Sequence, residues 1–195
     1  MIEKKVLILM GSPRKAGNTA ILSEHLARGA QNAGANAQTL FLQALDINPC
    51  TGCNQCQGED AAGCVVEDAM QEIYPKLREA DSIVFASPIY WFSVSAQLKA
   101  VIDRMYAVGG GDKNVLKGKS FGVLLAYADS DPYTSGAVNA LRMFEDIADY
   151  LGATLVGAVY GSAWEAGEIR DNEDLLKEAF RLGQKLALQP VSHEL

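Results

Sequence analysis

Val6-Leu-Ile-Leu-Met10, followed at once by Gly11-Ser-Pro-Arg-Lys-Ala-Gly-Asn-Thr19, is the stretch on which the fold turns. Five apolar residues without polar alternation suit a central parallel strand buried on both faces. Gly11 ends the run, and from about residue 18 to 33 the pattern becomes helical. Leu22, Leu26, Ala30 and Ala33 share a face there, and Gly34 is placed to cap the end. The alternation then repeats. Residues 39–42 read as a second strand, and Met70, Ile73, Leu77 and Ala80 as a short helix. Residues 82–86 form a third strand, followed by the i, i+3, i+4, i+7 helix of Leu98, Val101, Ile102 and Met105. Residues 121–127 make the fourth strand, before a helix marked by Leu141, Phe144, Ala148 and Leu151 that Gly152 ends. Residues 154–160 make the fifth, before a last helix carrying Leu175, Ala179, Leu182 and Leu186. Five strand–helix units in strict alternation predict an α/β protein, a parallel sheet with helices on both faces. With no internal repeat or Pro-rich linker, residues 1–195 read as one domain, carrying a cysteine-rich insertion at about 46–66.

Composition narrows the function. Seventeen Lys and Arg against 24 Asp and Glu give a net charge of −7, which argues against nucleic acid or an anionic membrane surface as partner. No apolar run approaches the ~18 residues of a membrane span, and Val6 to Met10 is too short for a signal core. The expectation is a soluble, cytoplasmic protein. All four cysteines fall between Cys50 and Cys64, so local chemistry is a better reading than a disulfide scaffold.

In an open parallel sheet, ligands sit beyond the carboxyl ends of the strands, so the segments just after each strand carry the chemistry. The first, residues 11–19, combines glycines, the hydroxyls of Ser12 and Thr19, and a helix N-terminus, which together make an anion cradle. Its two glycines are six apart, unlike the dinucleotide fingerprint, and Gly118-Lys119-Ser120 lacks the glycine a Walker A loop needs at position 113. A terminal phosphate monoester is the expected guest. The second segment, Ser87-Pro-Ile-Tyr-Trp-Phe-Ser93, is rich in aromatics for a loop and suits a flat ring. The third, residues 128–136, is placed to close the other side of that ring. Only two histidines are present, which leaves a hydrolytic triad poorly supported, and Glu67-Asp68 reads as helix-start acids.

These segments, with Ile102-Asp103-Arg104, resemble the flavodoxin-like NAD(P)H-dependent FMN reductases from about Val6 to Tyr160. The resemblance implies a flavodoxin-like domain with a five-stranded parallel sheet of order 2-1-3-4-5. It places the FMN phosphate on Ser12, Arg14, Asn18 and Thr19, and the isoalloxazine on Pro88, Ile89, Tyr90, Trp91 and Phe92. NAD(P)H is the implied donor. The acceptor is a small quinone, flavin, azo or nitro compound, with the chemistry carried by FMN and not by a catalytic side chain.

Cys50-x2-Cys53-x2-Cys56-x7-Cys64 puts three thiols in seven residues, a density that suits a cuboidal cluster better than zinc knuckles. The spacing is similar to that of the iron–sulfur flavoproteins, although its last gap is long for that motif. That resemblance implies a [4Fe–4S] cluster on Cys50, Cys53, Cys56 and Cys64, electron exchange with FMN, a ferredoxin-type protein partner, and a homodimer or tetramer. A reduced or disulfide-linked loop at a subunit contact is the alternative for the cysteines. A non-redox nucleotide-binding module is the remaining alternative for the chain.

Overall fold

A computed structural model describes residues 3–111 and 114–190. Strand β1 (Lys5–Met10) leads to helix α1 (Asn18–Asn32), then β2 (Asn36–Phe41), α2 (Met70–Glu79), β3 (Ser82–Tyr90) and the two-residue β4 (Ser93–Val94). Helices α3 (Ala96–Arg104) and α4 (Tyr106–Gly109) follow, then β5 (Ser120–Tyr127), α5 (Ala137–Leu151), β6 (Thr154–Ser162) and α6 (Glu173–Leu188). The sheet order is β2-β1-β3-β5-β6, all parallel, with β4 antiparallel on the end of β3. This is the flavodoxin-like order expected for the five long strands.

The continuous apolar runs have a direct cause, because each central strand feeds two cores. Leu7, Leu9, Ile83, Phe85, Val123 and Leu125 point into the core under α2, α3 and α5. Val6, Ile8, Met10, Val84, Ala86 and Leu124 point into the one under α1 and α6. Phe85 stacks on Phe144 with centroids 4.9 Å apart, which fixes α5 on its face. Gly34 (φ +87°) and Gly152 (φ +64°) close α1 and α5 in the left-handed conformation that glycine adopts without strain.

Two boundaries differ from the sequence reading. The second strand starts at Asn36 and stops at Phe41, leaving Leu42 in a 3-10 turn. As the edge strand it tolerates the polar residues that hid its start. The third strand does not give way to a loop at Ser87. It pairs with β5 through Pro88↔Ala126 and ends at Tyr90. β1 stops opposite Ala86, so beyond that point β3 has a parallel neighbour on one side only, and a residue without an N–H is tolerated. Among the described residues, no helix is long and apolar enough to cross a membrane.

Candidate functional site

The carboxyl ends of β1, β3, β5 and β6 surround a cavity of about 340 Å³. Its first wall is the β1–α1 loop, with Ser12, Arg14, Gly17, Asn18 and Thr19. Ser12 Oγ accepts from the Arg14 N–H at 3.2 Å, and the Gly17 N–H donates to the Arg14 carbonyl at 3.2 Å, so the loop is wound tightly on itself. Gly11 must be glycine, because a Cβ there would sit 2.7 Å from both Leu98 Cβ and Ser95 Oγ. Ser95 Oγ donates to the Gly11 carbonyl at 2.8 Å, and the Ser95 N–H donates to Ser87 Oγ at 2.9 Å. The loop, β3 and the start of α3 are thereby locked together.

The electrostatics of this wall favour an anion. The N-terminus of α1 has Gly17 at its cap, no side-chain cap bond and no acid in its first turn. Ser95 caps α3 and Asn172 caps α6, while α5, like α1, starts at a glycine without a side-chain cap or a first-turn acid but does not open into this cavity. A 15-residue helix thus opens its positive end into a cavity that Arg14 also lines, and Arg14 has no acidic partner among the described residues.

The remaining walls are Pro88, Ile89 and Tyr90 from β3, Ala126 and Tyr127 from β5 with Ala128 just after it, and Ala163 to Glu165 after β6. Burial pushes the Tyr127 hydroxyl above its ordinary pKa, so it stays neutral. The cavity therefore brings together Ser12, Arg14, Asn18, Thr19, Pro88, Ile89 and Tyr90, but not Trp91 or Phe92. Those two form the tip of the β3–β4 hairpin with φ of +47° and +63°, a strain of about 1–2 kcal/mol each for non-glycine residues. Trp91 is 93% exposed, while Phe92 packs against Gly136, where a Cβ would sit 2.6 Å from Phe92 Cβ. Of residues 128–136 only Ala128 reaches the cavity. The rest fold around Asp131, whose carboxyl is lowered to about 2 by the Thr134 N–H, the Thr134 hydroxyl and the Tyr133 N–H.

The cysteine segment presents its thiols in two directions. Cys50 and Cys53 are exposed, Cys56 is buried and Cys64 is half-buried, and all four are free. The Gly52 N–H points at Cys50 Sγ at 3.5 Å. The Gln55 N–H and the Thr51 hydroxyl draw the Cys53 thiol below its ordinary pKa. Gln57 Nε2 donates to the Tyr106 carbonyl at 2.7 Å, pinning the middle of the segment to α4. An all-thiol donor set fits an iron–sulfur cluster in kind. As arranged, however, no group of three or more His, Cys, Asp or Glu among the described residues is gathered closely enough to hold a metal ion.

The ends of the segment are held by a pair that the sequence reading missed. Arg104 is 1% exposed and donates to both carboxylate oxygens of Asp68, at 2.7 and 3.1 Å. It also donates to the carbonyls of Asn48 (2.8 Å) and Val66 (3.3 Å), which lie just before Cys50 and just after Cys64. Asp68 is thus more than a helix-start acid, although it also accepts from the Met70 N–H at 2.9 Å. The signal was present: position 104 falls three residues after Val101 on the buried face of α3, where a cation demands a partner.

A flavodoxin-like sheet with an anion cradle beside a ring-sized cavity at its switch point defines a mononucleotide-binding α/β protein. The family model for NADPH-dependent FMN reductase matches residues 4–166. An iron-sulfur flavoprotein of Archaeoglobus fulgidus is 32% identical, covering 94% of this chain and 79% of that one. Another, of Methanocaldococcus jannaschii, is 31% identical over 94% of this chain and 95% of its own. Among solved structures, an NAD(P)H:quinone oxidoreductase from Methanothermobacter marburgensis superposes with a TM-score of 0.75 at 19% identity, over 96% and 99% of the two chains. The chain belongs to the NADPH-dependent FMN reductase family, in its iron–sulfur flavoprotein branch, and is an FMN-binding flavoprotein oxidoreductase.

Proposed function

We propose that residues 1–195 act as one FMN-binding domain that takes reducing equivalents from NAD(P)H and passes them to a small quinone, flavin, azo or nitro acceptor. The observation that carries this reading is the uncapped N-terminus of α1, opening beside Arg14 into the cavity. The chemistry supplied by bound FMN is two-electron exchange with a nicotinamide and onward reduction of the acceptor. The chain's own part is placement. First-turn amides of α1, with Ser12, Thr19 and Arg14, hold the phosphate, while Pro88, Ile89 and Tyr90 take the ring from the β3 side. Asn18 adds its backbone N–H, because its side chain is engaged elsewhere. Trp91 and Phe92, outside the cavity, suit the entrance for donor or acceptor.

The test compares FMN with riboflavin, which lacks the phosphate. Arg14→Ala removes a charge-assisted contact of about 1.5–3 kcal/mol, so FMN affinity should fall roughly ten- to hundredfold while riboflavin affinity holds. Equal losses for both flavins, or none, would remove Arg14 from the phosphate site.

A second reading is favoured by four free thiols on one anchored segment and by the relatives' name. Cys50, Cys53, Cys56 and Cys64 would hold a [4Fe–4S] cluster supplying one-electron transfer to a ferredoxin-type partner, with the exposed Cys50 and Cys53 turning inward to join the other two. Iron and acid-labile sulfide per flavin on anaerobically purified protein separates the readings. About four of each supports the cluster, and flavin without iron leaves the two-electron reductase.

A further inference from the structure

We infer that the Asn18 side chain is not a phosphate ligand but a positioning group, holding Trp164 as a wall of the flavin cavity; this rests on the FMN reading above. A carboxamide has two N–H donors and two acceptor lone pairs, and the structure uses all four. Asn18 Nδ2 donates to the carbonyls of Ala163 (3.2 Å) and Glu165 (2.9 Å). Its Oδ1 accepts from the N–H groups of Gly167 (2.8 Å) and Ile169 (3.3 Å). No capacity is left for a phosphate oxygen.

The partners explain the residue type. Ala163 and Glu165 are the two feet of a three-residue arch with Trp164 at its apex, and one amide nitrogen holds both feet. The arch is fixed again from β5 by the Ala163 N–H on the Tyr127 carbonyl at 2.7 Å. Beyond it the chain turns through Gly167 at φ +94°, stabilised by Glu168 Oε2 on the Glu165 N–H at 2.7 Å, and ends on buried Ile169. Aspartate could accept from Gly167 and Ile169 but would set a carboxylate against two carbonyl oxygens. Serine could not span four partners. Trp164 lines the cavity with Tyr90 and Tyr127 while remaining 72% exposed, so its place is set by the backbone of the arch and not by burial in the core. An aromatic held in that way can flank a ring without collapsing into its site.

The two roles give different signatures. A phosphate ligand acts on FMN alone, whereas a wall acts on FMN and riboflavin alike. With Asn18→Ala, both affinities should fall by the same factor, about tenfold, and this loss should vanish in a Trp164→Ala background. Loss for FMN alone, or losses that add in the double variant, would overturn the inference. A flavin-independent measurement accompanies it. In Trp91→Phe protein Trp164 is the sole tryptophan, and its emission should shift in Asn18→Ala and in the gentler Asn18→Asp, which keeps the two acceptor bonds. Unchanged emission in a folded variant would overturn the inference. Wild-type protein that binds neither flavin would overturn the FMN reading instead, with the emission result still deciding the tie between Asn18 and Trp164.

Discussion

Arg104→Met should lower the stability of the fold by about 3–5 kcal/mol, the cost of leaving one half of a buried ion pair. The side chains of Arg104 and Asp68 are 1% and 0% exposed, so no water replaces the lost partner. The guanidinium also serves the Asn48 and Val66 carbonyls and, through Nε at 3.3 Å, the Tyr74 hydroxyl, which donates back to the Arg104 carbonyl at 3.2 Å. Removing it therefore unties both roots of the cysteine segment from α3 as well as stranding a carboxylate. Urea unfolding reads the first effect, and the reaction rate of buried Cys56 with a thiol reagent in native buffer reads the second. A loss under ~1 kcal/mol, as for a surface pair, would contradict the assignment. Adding Asp68→Leu should recover part of the stability, but not all, because Asp68 also accepts from the Asn48 and Met70 N–H groups. The pair also sets an acid limit. Burial works against ionising Asp68, but bonds from Arg104, Asn48 and Met70 outweigh it and hold the carboxyl below its ordinary 3.8. A lowered folded value means the stabilisation is complete above the unfolded value and is lost as pH falls through the lower, folded one. Wild-type stability should fall steeply below about pH 4, and the slope should flatten in Arg104→Met/Asp68→Leu.

The parts of this molecule that were legible in sequence are those decided locally. Val6–Met10 reads as a strand because both faces are covered, and Gly34 and Gly152 read as helix ends because no Cβ opposes a positive φ. The loop proposed to hold the phosphate was legible for the same reason: a helix N-terminus and the residues before it lie within nine consecutive positions. What escaped were pairings set by the whole fold. Asn18 stands in a phosphate-loop motif, yet its partners lie 145 to 151 residues away. Arg104 and Asp68 lie 36 residues apart. The aromatic run after Ala86 looked like one ring-binding loop. Pairing through Pro88↔Ala126 carried three of its residues into the cavity wall and left Trp91 and Phe92 at a hairpin tip. The spacing of the cysteines gave their number and density, but not that two of them face inward.

Gly29→Ala should be, with Gly183→Ala, among the most damaging single-methyl changes outside the sheet, with a loss of about 3 kcal/mol or more. Helices α1 and α6 cross backbone to backbone. A Cβ at Gly29 would overlap the Phe180 carbonyl oxygen and lie 2.8 Å from its carbonyl carbon, and a Cβ at Gly183 would overlap the Leu26 carbonyl oxygen. Neither obstacle is a flexible side chain that can swing away, so the helices must separate. The gain in helix propensity on replacing glycine, about 1 kcal/mol, does not offset that. At about 2–4 °C per kcal/mol for a chain of this size, the midpoint should drop by roughly 6–12 °C. Separation also moves the N-terminus of α1, the proposed phosphate site, so FMN affinity should fall along with stability. In Arg104→Met, stability should fall while FMN affinity holds, because that clamp lies under the cysteine segment. The double variant Gly29→Ala/Gly183→Ala distinguishes the cause. If one separation relieves both clashes, the second methyl adds little and the losses are far from additive. Full additivity would mean that each glycine acts at its own site and that the close crossing is not what holds α1 in place.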